Sequence, residues 1–445
     1  MMKTPICDFV KQYAASDMIR FHMPGHKGKA HLGFEEFDIT EIKGADALYE
    51  ADGIIAQSEA NATALFGSQK TLYSAEGSSQ CIRAMLYLAI THCTDAQKPV
   101  IVAARNVHKA FLYAAALLDI EVVWLWPEKS ISLCGCPISV KQLENTLQTL
   151  ETPPAAVYLT SPDYLGAMAD IAGLSEVCHR HGTLLMVDNA HGAYLRFLQP
   201  SLHPLDLGAD ICCDSAHKTL PVLTGGAYLH LADTVPAAMA ASAKAAMALF
   251  GSTSPSYLIL ASLDHCNGLL AGDYAARMMQ TAGYIADTKR KLTELGWCVE
   301  ESDPLRITLR VPQGTPGIAL QHFLRQNGME CEYADDDFLV IMLTPDNEEV
   351  QLDCLINVLG KASKPGREIH PLPQAKGEQA VSIRKALFSA HEVIPVKDAL
   401  GRICGSPLVS CPPAIPIVVS GERIGHAALE LFAYYGITEV DVLKD

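Results

Sequence analysis

Between about residue 75 and residue 232, short continuous apolar runs alternate with segments of helical periodicity. Such runs are typical of strands that are buried on both faces of a parallel sheet. Helical segments between them, such as 109–118 and 171–181, provide the crossover connections of an α/β domain. The predicted strands lie at 99–104, 121–126, 155–159, 184–187 and 211–213, and 225–232 continues the sheet. Since these sheets bind ligands beyond the carboxyl ends of their strands, polar residues that directly follow the runs are the candidates for chemistry.

The pattern changes after residue 270. A long helix is predicted at 273–296, ending near Gly296, and another at 317–327. Residues 305–311 (LRITLRV) alternate apolar and polar positions, as a half-buried strand does. A further strand is predicted at 338–343. These elements indicate a smaller α+β domain.

A stretch that contains Pro and Gly, 364–376, predicts a linker. The unit beyond it carries the Pro-rich run CPPAIPIVV and a final helix near 422–435. We therefore predict an N-terminal segment (1–60), a large α/β domain (61–270), a small α+β domain (271–365) and a C-terminal domain (366–445).

Charge and composition exclude several classes of protein. The 445 residues include 34 Lys and Arg against 50 Asp and Glu, for a formal net charge of -16. This balance argues against binding to a nucleic acid backbone, which requires a positive surface. No apolar stretch is long enough to span a bilayer, and Asp8, Lys11 and Asp17 interrupt any signal-peptide core. We expect a cytoplasmic protein with no membrane or nucleic acid partner.

The 14 cysteines are too scattered for a disulfide scaffold and are expected to be free thiols. Cys178, His179 and His181 resemble metal ligands, but they lie near the end of a predicted helix and no second ligand cluster accompanies them. We assign them structural or solvated roles and predict no metal.

A Gly-Ser-Ser turn opens a helical pattern at residue 78. Ile82, Met85, Leu86, Ala89 and Ile90 form one apolar helical face. The unpaired N–H groups of a helix N-terminus, the flexibility of Gly77 and the two hydroxyls of Ser78 and Ser79 together suit a phosphate. The alternative is an ordinary serine N-cap.

Asp188 and Lys218 follow two of the apolar runs. A carboxylate at the end of a buried strand is costly without a cationic partner, and a protonated ring nitrogen would be one. A desolvated lysine can act as a Schiff-base nucleophile. Taken singly, Asp188 could cap the following turn and Lys218 could be a surface loop residue.

A phosphate cradle, a carboxylate for a pyridinium nitrogen and a Schiff-base lysine are the contacts that pyridoxal phosphate (PLP) requires. We therefore predict PLP as the cofactor. His108 follows the run at 99–104, so its imidazole could stack on a flat cofactor ring or cap the following helix.

The sequence resembles the Orn/Lys/Arg decarboxylase family, group III PLP decarboxylases with the fold type I (aspartate-aminotransferase-like) architecture. The resemblance covers almost the whole chain and implies a short member without the N-terminal wing of larger relatives. It is carried by FHMPGHKGK (21–29), DITEIKGADALYEADGII (38–55), EGSSQ (76–80), ARNVHKAF (104–111), TSPDYLG (160–166), VDNAHGAYLRF (187–197), DSAHKTLPVLT (214–224), STSPSYLILASLD (252–264) and PPAIPIVVSGERI (412–424).

The resemblance implies a role for each matching residue. Lys218 would form the internal aldimine, Asp188 would pair with the pyridine nitrogen, and His108 and Ala190 would cover the two faces of the ring. The phosphate would be held by Gly77, Ser78, Ser79, Ser215 and His217, and Ser252 and Thr253 would reach the phosphate of a neighbouring subunit. A homodimer or higher oligomer with shared active sites is implied.

Two departures from the family pattern concern the substrate side of the site. Families of this type usually read VDEAHGAH, whereas Asn189 and Tyr194 stand here in place of Glu and His. Gly225 and Gly226 replace a Gln and a hydroxyl residue after KTLP. These changes leave the identity of the substrate open more than the binding of the cofactor.

The implied reaction is decarboxylation of arginine, lysine or ornithine, with Lys218 or His217 returning a proton to Cα. Asp46, Glu41 and Glu422 are candidates to receive the distal cation of the substrate. One alternative is an aminotransferase or lyase on the same fold, in which Arg306 or Arg310 would clamp the α-carboxylate. The other is a catalytically silent homologue that binds PLP for regulation.

Overall fold

The computed structural model describes residues 2–92, 98–311, 316–362, 371–407 and 414–444. The chain divides into two compact units. The first comprises Met1–Asp95, Ala155–Tyr158 and Ile171–Met279, and the second comprises Ala96–Pro154, Leu159–Asp170 and Gln280–Asp445. Within the described ranges, every helix is too short or too polar to cross a lipid bilayer.

The helices and strands are numbered in chain order. The α-helices are α1 (Pro5–Ala14), α2 (Ile54–Phe66), α3 (Ser78–His92), α4 (Lys109–Leu117), α5 (Val140–Thr149), α6 (Ile171–Arg180), α7 (Ala216–Thr219), α8 (Ala237–Leu249), α9 (Tyr257–Leu270), α10 (Tyr274–Glu294), α11 (Gly317–Gln326), α12 (Glu349–Leu359), α13 (Ile383–Leu387) and α14 (His426–Tyr434). The strands are β1 (Lys70–Ser74), β2 (Val100–Ala104), β3 (Glu121–Leu125), β4 (Ala156–Thr160), β5 (Leu184–Asp188), β6 (Ile211–Asp214), β7 (Ala227–Leu231), β8 (Cys298–Val299), β9 (Arg306–Arg310), β10 (Tyr333–Ala334), β11 (Phe338–Met342), β12 (His391–Pro395) and β13 (Glu439–Leu443).

In the first unit, β5 and β6 are parallel, and Asp188 at the end of β5 lies opposite Cys213. β7 is antiparallel to β6 on one side and to β1 on the other. The strands β5, β6 and β7 are almost completely buried, which confirms that their apolar runs are covered on both faces. The carboxyl ends of β5 and β6 therefore meet at the same edge of the sheet.

Helix α3 begins at Ser78, where the sequence places the Gly-Ser-Ser turn. Its predicted apolar face is confirmed, because Ile82, Met85, Leu86 and Ala89 are buried. Gly77 precedes the helix with φ +71°, a left-handed conformation that favours glycine. The turn is thus fixed at the edge of the sheet by the burial of the helix behind it.

In the second unit, β2 and β3 form a parallel pair. A four-stranded sheet in the order β10-β11-β9-β8 is antiparallel throughout, and β12 pairs with β13 in antiparallel fashion. The strands predicted at 305–311 and 338–343 are confirmed as β9 and β11. The four-stranded and the two-stranded sheet of the second unit thus contain only antiparallel pairs, as expected of α+β domains.

The expectation that residues 305–311 form a half-buried strand is wrong, because Arg306 and Thr308 on the polar face of the strand are buried too. Arg306 is 1% exposed and donates from Nη1 to the backbone carbonyls of Asp163 (2.7 Å) and Tyr164 (2.8 Å). The Thr308 hydroxyl donates to the carbonyl of Leu165 (2.6 Å). A loop therefore covers the face that alternation assigned to solvent.

The final helix starts at His426 rather than at 422, because Glu422 and Arg423 form antiparallel bridges with Gln379 and Ile403. Residues 371–376 of the predicted linker form neither helix nor strand. Residues 364–370 of that linker and 411–413 of the Pro-rich run lie outside the described residues. The predicted domain boundaries stay predictions.

Candidate active site

Two aspartates lie at the carboxyl ends of β5 and β6 in the first unit. Asp188 is the last residue of β5, and Asp214 is the last residue of β6. The short helix α7 follows Asp214 directly and carries Lys218. Because the carboxyl ends of adjacent parallel strands lie at the same edge of the sheet, the predicted carboxylate and lysine lie in one site.

Asp188 is 3% exposed and accepts few hydrogen bonds. The Tyr158 hydroxyl donates to its Oδ2 (3.1 Å), the Ala190 N–H donates to its Oδ1 (3.3 Å), and the Cys213 thiol lies 3.6 Å from Oδ1. Burial raises the pKa of Asp188 above its usual value, although the positive charge of Lys218 and the hydrogen bond from Tyr158 act in the opposite direction. A cation at this carboxylate would relieve that cost.

The amine of Lys218 has a close partner on the β5 side of the site. Its Nζ lies 2.9 Å from Nε2 of His191, which is buried. His191 is not among the residues predicted for the site, although its position three residues beyond Asp188, at the same strand end, is a signal for it.

His217 is held in one tautomer by the carbonyl of Gly226. Its backbone N–H and its Nδ1 lie 3.1 Å and 2.9 Å from that oxygen. A carbonyl can only accept, so Nδ1 carries the proton. Burial lowers the pKa of His217 despite the favourable carbonyl contact, and the neighbouring Lys218 lowers it further. The imidazole is therefore favoured in its neutral form.

The two glycines that depart from the family pattern lie in this same region. A Cβ added to Gly226 would come within 2.3 Å of Val222 Cγ1, and Gly225 has φ +100°. The Gly225 carbonyl accepts from the Gly77 N–H (2.7 Å). The Gly225-Gly226 pair thus contacts both the Gly-Ser-Ser turn and His217.

The Gly-Ser-Ser turn meets Ser215 at the start of α7. The Ser215 hydroxyl donates to the Ser78 hydroxyl at 2.9 Å, and Ser79 is half-buried in the first turn of α3. A Cβ added to Gly77 would find no atom within 4 Å. There is thus open space beside Gly77, and two hydroxyls at the N-terminus of a helix fit a phosphate group. The Gly77 N–H itself is used by the Gly225 carbonyl.

Ser252 and Thr253 are exposed. The Ser252 N–H donates to the carboxylate of Glu76, the residue before Gly77. The structure therefore places this segment beside the turn of its own chain. Its predicted contact with a phosphate in a neighbouring subunit stays a prediction.

Asp214 is surrounded by nitrogen donors, unlike Asp188. Its Oδ2 lies 3.1 Å from His203 Nε2 and 3.2 Å from His230 Nε2, and its Oδ1 accepts from Asn189 Nδ2 (2.7 Å). Burial would raise the pKa of Asp214, but the two histidines outweigh it and hold the pKa well below its usual range. Asn189 is therefore a neutral donor to Asp214, at a position where a glutamate would place a second carboxylate beside it.

His203, Asp214 and His230 are fully buried, and one ligand atom from each lies within 4.8 Å of the others. This spacing is also found around metal ions. The hydrogen bonds between these groups account for their positions without an ion.

The three carboxylates predicted to receive a substrate cation differ in their surroundings. Asp46 Oδ2 accepts from the backbone N–H groups of Gly53 (2.8 Å) and Ile55 (3.0 Å) at the start of α2. Glu41 is exposed and accepts from the Thr40 hydroxyl. The geometry gives Asp46 a capping role, while its role toward substrate stays a prediction.

Glu422 and His108 lie in the second unit, where each has a structural partner. Glu422 is 2% exposed and lies 3.2 Å from Arg105 Nη2. Burial raises the pKa of Glu422, and Arg105 opposes that shift. His108 is the N-cap of α4, and its Nδ1 accepts from the Ala110 N–H (3.1 Å). The capping alternative is therefore observed for His108, and it leaves stacking of the imidazole face as a prediction.

The two arginines considered as a carboxylate clamp are engaged elsewhere. Nε of Arg306 lies 3.0 Å from Asp303 Oδ2, in addition to the carbonyl contacts of Nη1. Arg310 forms an ion pair with Glu300, with Nη2 3.2 Å from Oε2. Each guanidinium is therefore already paired with a carboxylate of its own chain.

Known proteins resemble this chain over nearly its whole length. It is 29% identical to the uncharacterized protein YaaO of Bacillus subtilis (96% of this chain, 93% of that protein). It is 28% identical to an arginine decarboxylase of the same organism (95% and 91%). Among solved structures, the lysine decarboxylase LdcF of Francisella novicida matches with a TM-score of 0.82 at 16% identity (99% and 81%). A serine palmitoyltransferase from Sphingomonas wittichii matches with a TM-score of 0.58 at 15% identity (81% and 83%).

These similarities confirm the predicted fold class, an α/β fold type I large domain with a mostly parallel sheet and smaller α+β C-terminal domains. The family model for the Orn/Lys/Arg decarboxylase major domain matches residues 4–310, and the model for the C-terminal domain of the same family matches residues 367–440. The chain therefore belongs to the Orn/Lys/Arg decarboxylase family.

Proposed function

We propose that this protein is a PLP-dependent decarboxylase that converts a basic amino acid, arginine, lysine or ornithine, to its amine and CO2. The observation that carries the proposal is the pairing of a buried, poorly solvated carboxylate with a lysine at neighbouring strand ends. Asp188 and Lys218 interact electrostatically, and the open Gly-Ser-Ser turn lies at the start of α3 in the same unit. Relatives named arginine decarboxylase support the reaction class.

The residues of the first unit fit the proposed cofactor. Ser78, Ser79 and Ser215 would hold the phosphate, and Asp188 would hold the pyridine nitrogen in its protonated form. A contact from His217 to the phosphate would require a proton on Nε2, because its Nδ1 and its backbone N–H are both used by the Gly226 carbonyl. Ala190 would cover one face of the ring, and the role of His108 at the other face stays a prediction of the family resemblance. When bound, PLP supplies an electron sink for the charge that develops at Cα as CO2 leaves.

The task of the protein is to orient groups and exclude water. Asp188 is buried and lacks a full set of donors, so a cationic ring nitrogen is the partner that best satisfies it. Lys218 would supply the amine that holds the cofactor, and Lys218 or His217 would return the proton to Cα. His217 has its Nδ1 proton directed at Gly226, so its neutral ring is suited to accept rather than to donate at Nε2.

Recognition of the basic side chain requires an acidic group that can reach substrate. Among the three candidates, Asp46 is occupied by backbone amides and Glu422 by Arg105. Glu41 is exposed. We therefore favour Glu41 as the group that receives the distal cation.

A second copy of the chain completes the proposed site. Six large apolar side chains between residues 18 and 34 are exposed, including Phe21 (92%), Leu32 (78%) and Ile19 (76%). Exposed apolar side chains concentrated in one short segment mark an interaction surface. We propose a homodimer in which this segment is covered and in which Ser252 and Thr253 approach the partner's cofactor.

The test is a mass-spectrometric screen for products formed from all proteinogenic amino acids, ornithine and diaminopimelate in the presence of PLP. We expect one amine from arginine, lysine or ornithine, lost in Lys218→Ala. Formation of a keto acid would instead support an aminotransferase, against which the pairing of Arg306 and Arg310 already argues. Bound PLP without turnover would support the silent homologue.

A further inference from the structure

His191 contacts the amine of Lys218 across the site. The 2.9 Å between His191 Nε2 and Lys218 Nζ is a hydrogen-bond distance. His191 is 5% exposed and lies in the turn after β5, whereas Lys218 lies in α7 after β6. The fold thus brings together two titratable side chains that are 27 residues apart.

The neighbouring charge makes a proton acceptor necessary at this amine. Lysine amines are ordinarily protonated at neutral pH, and only the neutral form is a nucleophile. Asp188 is a negative group that interacts with Lys218, and a carboxylate favours the ammonium form. His217, the adjacent residue of α7, directs its Nδ1 to Gly226 instead. The His191 imidazole lies within hydrogen-bond distance of the amine.

We propose that His191 is a catalytic residue, the base that deprotonates Lys218 for its reaction with the cofactor aldehyde. This inference rests on the proposed function, which supplies the aldehyde. A proton moves from Nζ to Nε2, and the nitrogen lone pair forms the bond to the aldehyde carbon. Of the three protons on the lysine ammonium, one stays on nitrogen. Two leave with the carbonyl oxygen as water, one directly and one through His191, which ends neutral.

The experiment measures how fast the purified protein, freed of cofactor, captures PLP at Lys218. Borohydride stops the reaction at set times, and mass spectrometry quantifies the Lys218 adduct. The pH is varied from about 5.5 to about 9.5, so that the series extends from below the ordinary pKa of histidine toward that of lysine. In the wild-type protein, we expect the rate to rise through the range in which histidines titrate, about pH 6–7. In His191→Gln, we expect a rate about 10²-fold lower at neutral pH that rises only at alkaline pH.

Two controls separate a role as a base from a role in packing. Free imidazole should restore capture in His191→Ala, because it supplies the missing base, and the exposed His265→Gln should match the wild-type protein. An unchanged rate and pH profile in His191→Gln would overturn the inference, as would a slow His191→Ala variant that folds normally and is not rescued. Absence of any Lys218 adduct in the wild-type protein would instead overturn the proposed function.

Discussion

Asp188 and Asp214 occupy equivalent positions at the ends of two adjacent parallel strands, yet their surroundings act on them in opposite ways. Both are buried. The pKa of Asp188 is raised because burial outweighs its few partners. The pKa of Asp214 is lowered because His203 and His230 outweigh burial. The protein's own donors thus stabilise the charged form of Asp214, whereas the charged form of Asp188 is poorly stabilised, as expected of a carboxylate with the proposed role of binding a cationic ring nitrogen.

The largest effect is expected for Asp214→Asn. It removes a buried charge that two histidines and Asn189 contact, so we expect the free energy of unfolding to fall by about 3–5 kcal/mol at neutral pH. Denaturant unfolding monitored by circular dichroism measures it. The exposed Asp233→Asn is the matched control and should unfold as the wild-type protein does.

The destabilisation by Asp214→Asn should depend on pH. Because the folded pKa of Asp214 lies below its unfolded value, its stabilisation is present above about pH 4 and is lost as pH falls through the folded pKa. The difference in the free energy of unfolding between the wild-type protein and Asp214→Asn should therefore be largest at neutral pH and become smaller in acid. A constant gap would contradict the assignment of the charge.

Asp188→Asn, in contrast to Asp214→Asn, should lower activity without lowering stability. We expect the catalytic efficiency to fall about 10²–10³-fold, because the ring nitrogen loses the charge that keeps it protonated. The free energy of unfolding of the cofactor-free protein should not fall. A raised folded pKa stabilises the protonated form, and that contribution is present below the unfolded pKa and lost as pH rises through the folded pKa. Steady-state kinetics and unfolding of the same preparation test both parts, and a large loss of stability would show that Asp188 is structural.

Asn189→Asp should place a carboxylate where the Asn189 amide now donates to Asp214 Oδ1 at 2.7 Å. We expect a loss of about 2–3 kcal/mol in the free energy of unfolding. In the double variant Asn189→Asp with Asp214→Asn, the repulsion is absent, so the two losses should not add and the coupling should be about 1–3 kcal/mol. Additive losses would mean that the two side chains act independently.

The smallest effect is expected for Tyr158→Phe, which removes one donor from Asp188. PLP affinity should weaken about fivefold, the equivalent of about 1 kcal/mol, because the carboxylate becomes harder to ionise. Fluorescence titration with PLP measures the affinity. Unchanged affinity would show that Tyr158 does not tune Asp188.

The sequence was most informative where pattern and chemistry coincide. Continuous apolar runs predicted β5 and β6, and the polar residues that end them identified Asp188 and the segment that carries Lys218. The pairing of Asn189 with Asp214 could not be predicted, because hydrogen-bond partners in different strands depend on register. The burial of Arg306 was missed for a related reason, since the covering loop at 163–165 is distant in sequence.

The most direct test of the account is to locate the covalent attachment of PLP. Purified protein is incubated with PLP, reduced with borohydride and digested, and the modified peptide is identified by mass spectrometry. We expect one stoichiometric adduct, at Lys218, and less of it in Asp188→Asn. An adduct at a different lysine, or none at all, would contradict it.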